Sequence, residues 1–552
     1  MTNDFDIIVI GAGFGGPVAA KICADAGLGT MLIERAEKPG EKVISGLTIP
    51  FYGFLFGPEF ITNGNPPIER PADGIINYII LDIDKGIIEI DDSLNIPKPL
   101  SPIIAFGYNT YCQPFCEWET DMAIKSGVTF LNATTVVEII KEDGIVKGVE
   151  TDKGEKFYCK ILIDAEGSQG LLAVNAGVRE KYPPEMISLA DTYDYVMPKK
   201  LLDNIFGYSV RFCWGWDEQK IAPPLGYGNG LMLWPYRESI HFIQDQCLVL
   251  ENNKIPNLKK NFQTFHKNIT SKLPFWKNNV APYANLRAKM FQGFEIFVGL
   301  KKNLRNMPNY TGGMLLIGDA AGLESTELCD GVPSAWFSAE IAAKVAISAI
   351  EANDFSASFL SIYDKQIRDH PIIQWSISGR NRYDLRFVQK THNKKELKKY
   401  IHNGWGLGAL THFTMPLIKM VGMSLREQPY IIKRWIKMYF RYFQNYIYNN
   451  YGTKISKYRY NQIRKNRNAK NEILFRSFLH FIDIIIEISV KLYKMLKRVI
   501  PSAEFVNPFI KRILPKFEPL FMKIINFLEP FLNLLSHKLI KFTRYANPNL
   551  FT

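Results

Sequence analysis

The first 35 residues alternate between apolar runs and glycine turns. Phe5 to Ile10 is a short, almost wholly apolar run rich in β-branched residues, which predicts a strand buried on both faces of a parallel sheet. A helix is predicted from about Phe14 to Ala26, with Pro17 in its first turn, where a missing N–H costs little. Thr30 to Ile33 follows as a second strand, and Glu34 ends it. This order is typical of the start of a nucleotide-binding sheet.

The turn between the first strand and the helix contains the pattern G-x-G-x-x-G. Gly11 allows the tight turn, Gly13 lets the backbone approach a pyrophosphate, and Gly16 lets the helix pack on the strand. The N-terminal amides of the helix then face that pyrophosphate. An acid at the end of the second strand favours FAD or NAD over NADP, because a 2′-phosphate would be repelled. We therefore predict cofactor contacts from Gly11, Ala12, Gly13, Phe14, Gly15, Gly16, Glu34 and Arg35.

Loops that contain Gly and Pro, and further strands, follow Glu34. In the loop after Glu34, Ser45 and Gly46 would let the backbone lie close to a flat ring. Later elements are predicted as two strands around the turn at residues 84–86, one helix with its approach over 108–127, a strand over 128–131, a hairpin over 136–151 and a strand over 159–164. Val136, which begins the hairpin, and Gly167, which follows the last strand, are added to the predicted cofactor contacts.

Residues 179–300 are rich in aromatic side chains and short alternating runs. They predict an antiparallel sheet with strands at 208–214, 231–235 and 239–244. Five aromatic residues either line an apolar pocket or form ordinary core: Trp214, Trp216, Tyr227, Trp234 and Tyr236.

The chain then returns to the first pattern. Residues 313–322 read as a buried strand that ends in Gly318 and Asp319, and a helix is predicted over about 332–352. Asp319 would accept hydrogen bonds from a ribityl hydroxyl. The helix start at Gly331, Val332 and Pro333 would place positive partial charge near the flavin N1/C2 carbonyl. Two such fingerprints 300 residues apart indicate one dinucleotide far more specifically than either alone.

Four blocks of sequence give the chain a family resemblance: the opening glycine motif, ERAEKPGEKVISG, PPIERP, and LLIGDAAG with its helix. DAEGSQGLLA is a weaker fifth block. The chain resembles the FAD-dependent electron-transfer flavoprotein:quinone oxidoreductases of the FixC type and the related geranylgeranyl reductases, over about residues 3–375. The resemblance implies FAD as cofactor and the two-domain fold of the p-hydroxybenzoate hydroxylase class.

The chain also departs from the family pattern. Cys112, Phe115 and Cys116 stand where the family has Arg, Phe and Asp, and the arginine normally helps to hold the cofactor. We still predict a cofactor contact from Cys112, which occupies the position of that arginine. Cys112 and Cys116 are four residues apart on a helix, so they are either packing thiols or a redox or metal pair. We expect no metal, because an iron–sulfur centre needs four ligands.

Charge is divided unevenly along the 552 residues. Residues 380–552 hold 33 Lys and Arg against 9 Asp and Glu, a balance of +24, whereas the rest of the chain has a balance of −11. Residues 472–500 have an amphipathic helical pattern, and Pro508, Pro515, Pro519 and Pro530 divide the part that follows into short predicted helices. This tail either docks on an anionic membrane surface or forms an internal bundle. We expect no nucleic-acid partner, since no known binding module is present.

The predicted fold is therefore α/β: a Rossmann-like FAD-binding domain in two parts (1–178 and 301–380), an antiparallel β substrate domain (179–300) and an all-α basic tail (381–552). The N-terminus shows no charged leader, and the seven scattered cysteines suit a reducing compartment. We thus expect a cytoplasmic protein, peripheral on the cytosolic face of a membrane.

The predicted function is an FAD-dependent oxidoreductase. It would pass electrons from a soluble donor, an electron-transfer flavoprotein or ferredoxin, to a membrane quinone. One alternative is a reductase of isoprenoid lipid double bonds, which would need a proton donor beside the flavin. Another is a membrane-associated scaffold without flavin. The residues indicate no catalytic Ser, Cys or His constellation, and no catalytic residue is assigned.

Overall fold

The computed structural model describes residues 4–41, 46–72, 74–82, 85, 87–91, 107–181, 187–206, 209–215, 230–247, 258–296, 307–323, 331–370 and 373. All of them belong to one compact unit. Elements are numbered below in the order in which these residues form them. The predicted basic helical tail lies outside the described residues.

The first sheet is parallel at its centre. Its strands are β1 (Phe5–Ile10), β2 (Thr30–Ile33), β8 (Thr129–Leu131), β9 (Val136–Glu142), β10 (Ile145–Thr151), β11 (Lys156–Asp164), β17 (Tyr310–Thr311) and β18 (Met314–Leu316). The order is β17-β18-β11-β1-β2-β8, and β9 and β10 extend from β11 as an antiparallel meander. Ile7, Ile8 and Val9 are fully buried, as expected of a strand covered on both faces. The predicted parallel α/β sheet with an inserted meander is confirmed.

Four helices accompany this sheet. They are α1 (Gly16–Asp25), α4 (Cys112–Lys125), α9 (Val332–Ala352) and α10 (Ala357–Asp369). The predicted helices at 14–26, 108–127 and 332–352 are confirmed, although β7 (Gly107–Tyr111) occupies the start of the second one. A short α5 (Leu171–Asn175) follows β11. α1 contacts both α4 and α9, which brings the starts of widely separated segments together.

The second sheet has seven strands, mostly antiparallel. In order they are β16 (Asn285–Ile296), β12 (Ile187–Val196), β15 (Ser239–Cys247), β14 (Gly230–Pro235), β13 (Ser209–Gly215), β5 (Gly74–Asp82) and β6 (Ile87–Asp91). The three strands predicted from the aromatic-rich segment are confirmed. β5 runs parallel to β13, so residues 74–91 pair with the second sheet although they lie far upstream in the chain. The boundary at residue 178 stays a prediction.

Three helices provide the apolar partners of the second sheet: α6 (Lys199–Phe206), α7 (Leu258–Lys272) and α8 (Pro274–Asn279). Leu202, Phe265 and Trp276 pack with Leu233 and Phe242 in one buried cluster. Of the predicted pocket aromatics, Trp234 and Tyr236 are buried, whereas Trp216, Tyr227 and the side chain of Trp214 lie outside the described residues.

A third sheet of three strands lies between these elements. It contains β3 (Gly46–Pro50), β7 and β4 (Arg70–Ala72), and α2 (Phe51–Phe56) and α3 (Glu59–Asn63) follow β3. Asn109 of β7 donates to the Pro235 carbonyl at the end of β14, and Arg70 of β4 pairs with the buried carboxylate of Asp203 in α6. Both interactions are buried, so they hold the small sheet against the second sheet and its helix α6. Among the described residues, no helix is long and apolar enough to span a membrane.

Candidate cofactor site

The carboxyl ends of four parallel strands meet at one edge of the first sheet. Ile10 of β1 lies opposite Ile33 of β2 and Asp164 of β11, and Asp164 in turn lies opposite Leu316 of β18. Turns that leave these strands therefore start side by side. This register brings together the glycine turn at 11–16 and the Gly-Asp turn at 318–319, and ligands of open α/β sheets bind at such an edge.

The glycine turn after β1 is shaped by three different constraints. Gly11 has φ +96°, a conformation that favours glycine. A Cβ on Gly16 would overlap the Gly11 carbonyl oxygen, so that position must also be glycine. A Cβ on Gly13, in contrast, would meet nothing within 4 Å. Gly13 thus lines open space, which suits the backbone approach to a pyrophosphate.

Glu34 closes this turn from the end of β2. Its Oε2 accepts a 2.6 Å hydrogen bond from the Ala12 N–H, and its Oε1 accepts one of 2.9 Å from the Ala36 N–H. Each carboxylate oxygen has a second lone-pair direction available for a ribose hydroxyl. Arg35 points elsewhere and donates to Oε1 of Gln169 beyond β11.

The start of α1 lies against the start of α9. A Cβ on Gly15 would lie 3.2 Å from Cδ1 of Ile317 and 3.4 Å from the Ala335 carbonyl oxygen. The Phe14 ring packs beside Trp336, with ring centroids 6.5 Å apart. Neither helix has a side-chain cap at its N-terminus. In α1, where no side chain caps the N-terminus, the first amides can therefore face an anionic group.

The second turn holds a half-buried acid. Gly318 has φ +57°, and its N–H donates to Oγ of Ser338 in α9. The carboxylate of Asp319 receives no hydrogen bond from the described residues, and burial raises its pKa to about 6. Removing part of a carboxylate from water without giving it a hydrogen bond costs free energy, so this position suits hydrogen bonds from ligand hydroxyls.

The predicted flavin helix begins as expected at Gly331, Val332 and Pro333. A Cβ on Gly53 of α2 would lie 3.1 Å from Cγ of Pro333, so the segment that follows Gly46 packs against this helix start. Trp336 Nε1 also donates to Oε1 of Glu119 in α4 over 2.7 Å, and burial raises the pKa of Glu119 well above its usual value. Residues 324–330, which precede the helix, lie outside the described residues.

Three further predicted positions border this edge. Gly167 follows β11 with φ +81°, and nothing lies within 4 Å of its hypothetical Cβ. Val136 begins β9 and packs partly against the core. The Thr134 N–H donates to the Glu34 carbonyl oxygen and so holds this segment beside Glu34. Ser45 lies outside the described residues.

Cys112 and Cys116 are buried at the start of α4 and form no disulfide. Gly40 packs directly on Cys116, since a Cβ there would lie 2.9 Å from Sγ. Burial raises the pKa of Cys116 well above its usual value, which disfavours the reactive thiolate. In the part of the chain that the structure describes, no group of three or more His, Cys, Asp or Glu could hold a metal ion.

Two groups of residues near this edge were missed by sequence reasoning. Arg179 is buried and donates to Asn309 and, over 3.0 Å, to the Ala321 carbonyl beside the second turn. Tyr236 and His241 from the second sheet contact Gly46. The Tyr236 hydroxyl is buried and has no hydrogen-bond partner among the residues that the structure describes. The alternating pattern of residues 239–244 does place His241 on one face, but nothing in the sequence indicates that this face meets Gly46.

The arrangement fits FAD. The open space at Gly13, the uncapped start of α1 and the carboxylate of Asp319, which receives no hydrogen bond from the described residues, lie along one edge, as a pyrophosphate and a polyhydroxyl chain require. The individual contacts of Gly11, Ala12, Gly13, Phe14, Gly15, Gly16, Glu34, Arg35, Ser45, Gly46, Cys112, Val136, Gly167, Gly318, Asp319, Gly331, Val332 and Pro333 with the cofactor stay predictions.

Comparison with known proteins agrees with this assignment. The family model described as FAD dependent oxidoreductase matches residues 6–190. Protein FixC of Bradyrhizobium diazoefficiens is 27% identical over 381 residues, covering 67% of this chain and 82% of the relative. Protein FixC of Escherichia coli strain K12 is 24% identical over 390 residues, covering 67% of this chain and 83% of the relative.

Solved structures show the same fold at low sequence identity. A geranylgeranyl bacteriochlorophyll reductase-like protein from Thermoplasma acidophilum has a TM-score of 0.56 at 19% identity, covering 76% of this chain and 98% of that one. Halogenase PltM in complex with phloroglucinol and FAD has a TM-score of 0.54 at 13% identity, covering 79% and 86%. The predicted cofactor, FAD, and the predicted fold class are confirmed.

Proposed function

We propose that this chain, an FAD-dependent oxidoreductase with FixC-like sequence, passes electrons from a soluble donor protein to a membrane quinone. The donor would be an electron-transfer flavoprotein or a ferredoxin. The observation that supports this most is the meeting of the two glycine-acid turns at one sheet edge, where they would form one continuous site for a dinucleotide. The FixC likeness extends over two thirds of the chain and favours electron transfer over other flavin chemistry.

FAD, when bound, supplies the ability to accept and donate one or two electrons. The residues of this chain supply binding and orientation. Gly13 and the start of α1 would hold the pyrophosphate, Glu34 the adenosine ribose, and Asp319 the ribityl chain. The positive end of α9 would stabilise negative charge at the ring carbonyl. Tyr236 and His241 would border the ring on the side of Gly46.

Membrane docking would come from the basic segment after residue 380. Each Lys or Arg close to an anionic leaflet adds about 1 kcal/mol, so part of the +24 balance would suffice. We therefore propose that the protein is peripheral on the cytosolic face. Sedimentation with anionic and neutral vesicles tests this, and equal binding to both would contradict it.

A second candidate is the reduction of isoprenoid double bonds in lipids. Two observations favour it: the fold likeness to the geranylgeranyl reductase-like protein, and the buried Tyr236 and His241 beside Gly46. A double-bond reductase must protonate carbon, and these two side chains are candidate proton donors.

One experiment separates the two candidates. Purified holoenzyme is reduced anaerobically and mixed with a menaquinone analogue or with a geranylgeranyl lipid, while absorbance near 450 nm reports reoxidation. The proposed function requires rapid reoxidation by the quinone. Reoxidation by the lipid alone would replace it with the second candidate. Purified protein that stays colourless after addition of FAD would favour the scaffold without flavin.

A further inference from the structure

His241 links the second sheet to the loop that carries Gly46. It lies on β15 and is only 1% exposed. Its Nδ1 accepts a 3.2 Å hydrogen bond from the Gly46 N–H, and its Nε2 lies 3.4 Å from Oδ1 of Asp194 on β12. Because Nδ1 accepts, the proton of the neutral ring belongs on Nε2, which lies beside the Asp194 carboxylate without an aligned hydrogen bond to it. The imidazole thus lies between a backbone amide, to which it is hydrogen-bonded, and a carboxylate.

The groups around His241 come from several elements. Arg287 on β16 donates through Nε to Oδ2 of Asp194 over 2.7 Å and through Nη2 to the Tyr111 hydroxyl over 3.3 Å. The Tyr111 hydroxyl also lies 2.5 Å from Oγ of Ser239. The rings of Tyr111 and Tyr236 lie 5.2 and 4.4 Å from the imidazole, measured between centroids.

This network connects the buried imidazole to solvent. The Arg287 side chain is 54% exposed, whereas Asp194 and His241 are buried. Burial lowers the pKa of His241, Asp194 opposes that effect, and Arg287 adds to it. The pKa of Asp194 is lowered, because the nearby His241 and the ion pair with Arg287 outweigh the cost of burial. The neutral imidazole is therefore the form at neutral pH.

Protonation would change the contact with Gly46 in a definite way. A proton on Nδ1 turns the acceptor into a donor, which then faces the Gly46 N–H instead of binding it. The charged imidazole would still pair with Asp194, but the backbone amide would lose its partner. Because no Cβ fits between Gly46 and the Tyr236 hydroxyl, the backbone cannot move toward the second sheet to compensate.

We propose that His241 is a positioning residue that holds Gly46 against the flavin ring when neutral and releases it when protonated. The proposal rests on the proposed placement of Gly46 at the cofactor. Protonation of one buried histidine on the substrate side then weakens cofactor binding, and occupancy of the site in turn keeps the imidazole neutral.

The test compares two variants with the wild-type full chain. His241→Asn places an amide oxygen near the position of Nδ1, so it keeps an acceptor for Gly46 that cannot titrate. His241→Leu removes the acceptor. The dissociation constant of FAD is measured by flavin fluorescence on cofactor-free protein from pH 5 to 8. Asp319, whose pKa is about 6, contributes its own pH dependence, but equally in all three proteins.

The wild type should lose affinity below pH 6.5 more steeply than His241→Asn, by about tenfold at the acid end. His241→Asn should match the wild type at pH 7.5, and His241→Leu should bind about tenfold more weakly than the wild type at pH 7.5 and about equally at the acid end. Asp194→Asn, which removes the group that raises the pKa of His241, should move the extra loss to lower pH.

Parallel pH profiles for the wild type and His241→Asn would overturn the proposal. If His241→Leu does not fold, the comparison of the wild type with His241→Asn decides the question alone. The measurement needs neither electron donor nor acceptor. A negative quinone assay therefore does not affect the conclusion about His241. Parallel pH profiles, in turn, do not affect the proposed electron transfer to quinone.

Discussion

Gly13→Ala separates cofactor binding from folding. The hypothetical Cβ at this position meets no heavy atom within 4 Å, and Gly13 is not among the glycines with positive φ. Alanine therefore fits the cofactor-free protein. By restricting the unfolded chain, it should raise the free energy of unfolding by up to about 1 kcal/mol.

The same methyl group would occupy the space assigned to the pyrophosphate. Losing one hydrogen bond between a backbone amide and a phosphate costs about 1.5–3 kcal/mol. The dissociation constant of FAD should then rise by about 10- to 150-fold. Fluorescence titration of cofactor-free protein with FAD measures the dissociation constant, and urea unfolding measures the free energy of unfolding.

Gly29→Ala is the matched control. A Cβ there would make ordinary contact with Oδ2 of Asp6 at 3.5 Å, and Gly29 precedes β2 at the opposite edge of the sheet. It should leave FAD binding unchanged. The reasoning is refuted if Gly13→Ala binds FAD within about twofold of the wild type, or if it destabilises the cofactor-free protein by more than about 1 kcal/mol.

Three further substitutions test other parts of the site. Gly16→Ala should lower the free energy of unfolding by about 1–3 kcal/mol in the absence of FAD, because its Cβ would overlap the Gly11 carbonyl; a neutral effect in urea unfolding would contradict this turn geometry. Tyr236→Phe removes a buried hydroxyl that has no partner within the described part of the chain, so cofactor-free protein should gain about 1 kcal/mol in urea unfolding while FAD binds more weakly; a loss of stability would mean that the hydroxyl has a protein partner. The pKa of Asp319 is raised from 3.8 to about 6 in the folded state, so its contribution to stability is present below pH 3.8 and is lost as pH rises through 6. Cofactor-free Asp319→Asn should therefore be more stable than the wild type by about 1–3 kcal/mol at pH 7.5 and nearly equal at pH 4, and an equal difference at both pH values would argue against a buried, ionising Asp319.

Much of the first sheet could be predicted from sequence because its signals are local. The buried run at 5–10, the glycine spacing at 11–16 and the acid at 34 each depend on residues that are neighbours in the chain. Backbone geometry at Gly11 and close packing at Gly16 require glycine in any such turn, so the pattern itself indicates the structure. The hairpin at 136–151 was also predictable, because its two strands and the turn between them are neighbours in the chain.

Contacts between distant segments were decided by the tertiary structure. β5 pairs with β13, more than 100 residues downstream, and no local periodicity indicates that partner. His241 looks like one polar position in an alternating strand, and it becomes a bridge only because β3 delivers the Gly46 amide to it. The sequence by itself thus determined the cofactor class and the turns that we propose bind it. The surroundings of His241 were decided by tertiary packing. They are built from β3, β7, β12, β15 and β16, and only folding brings these strands together.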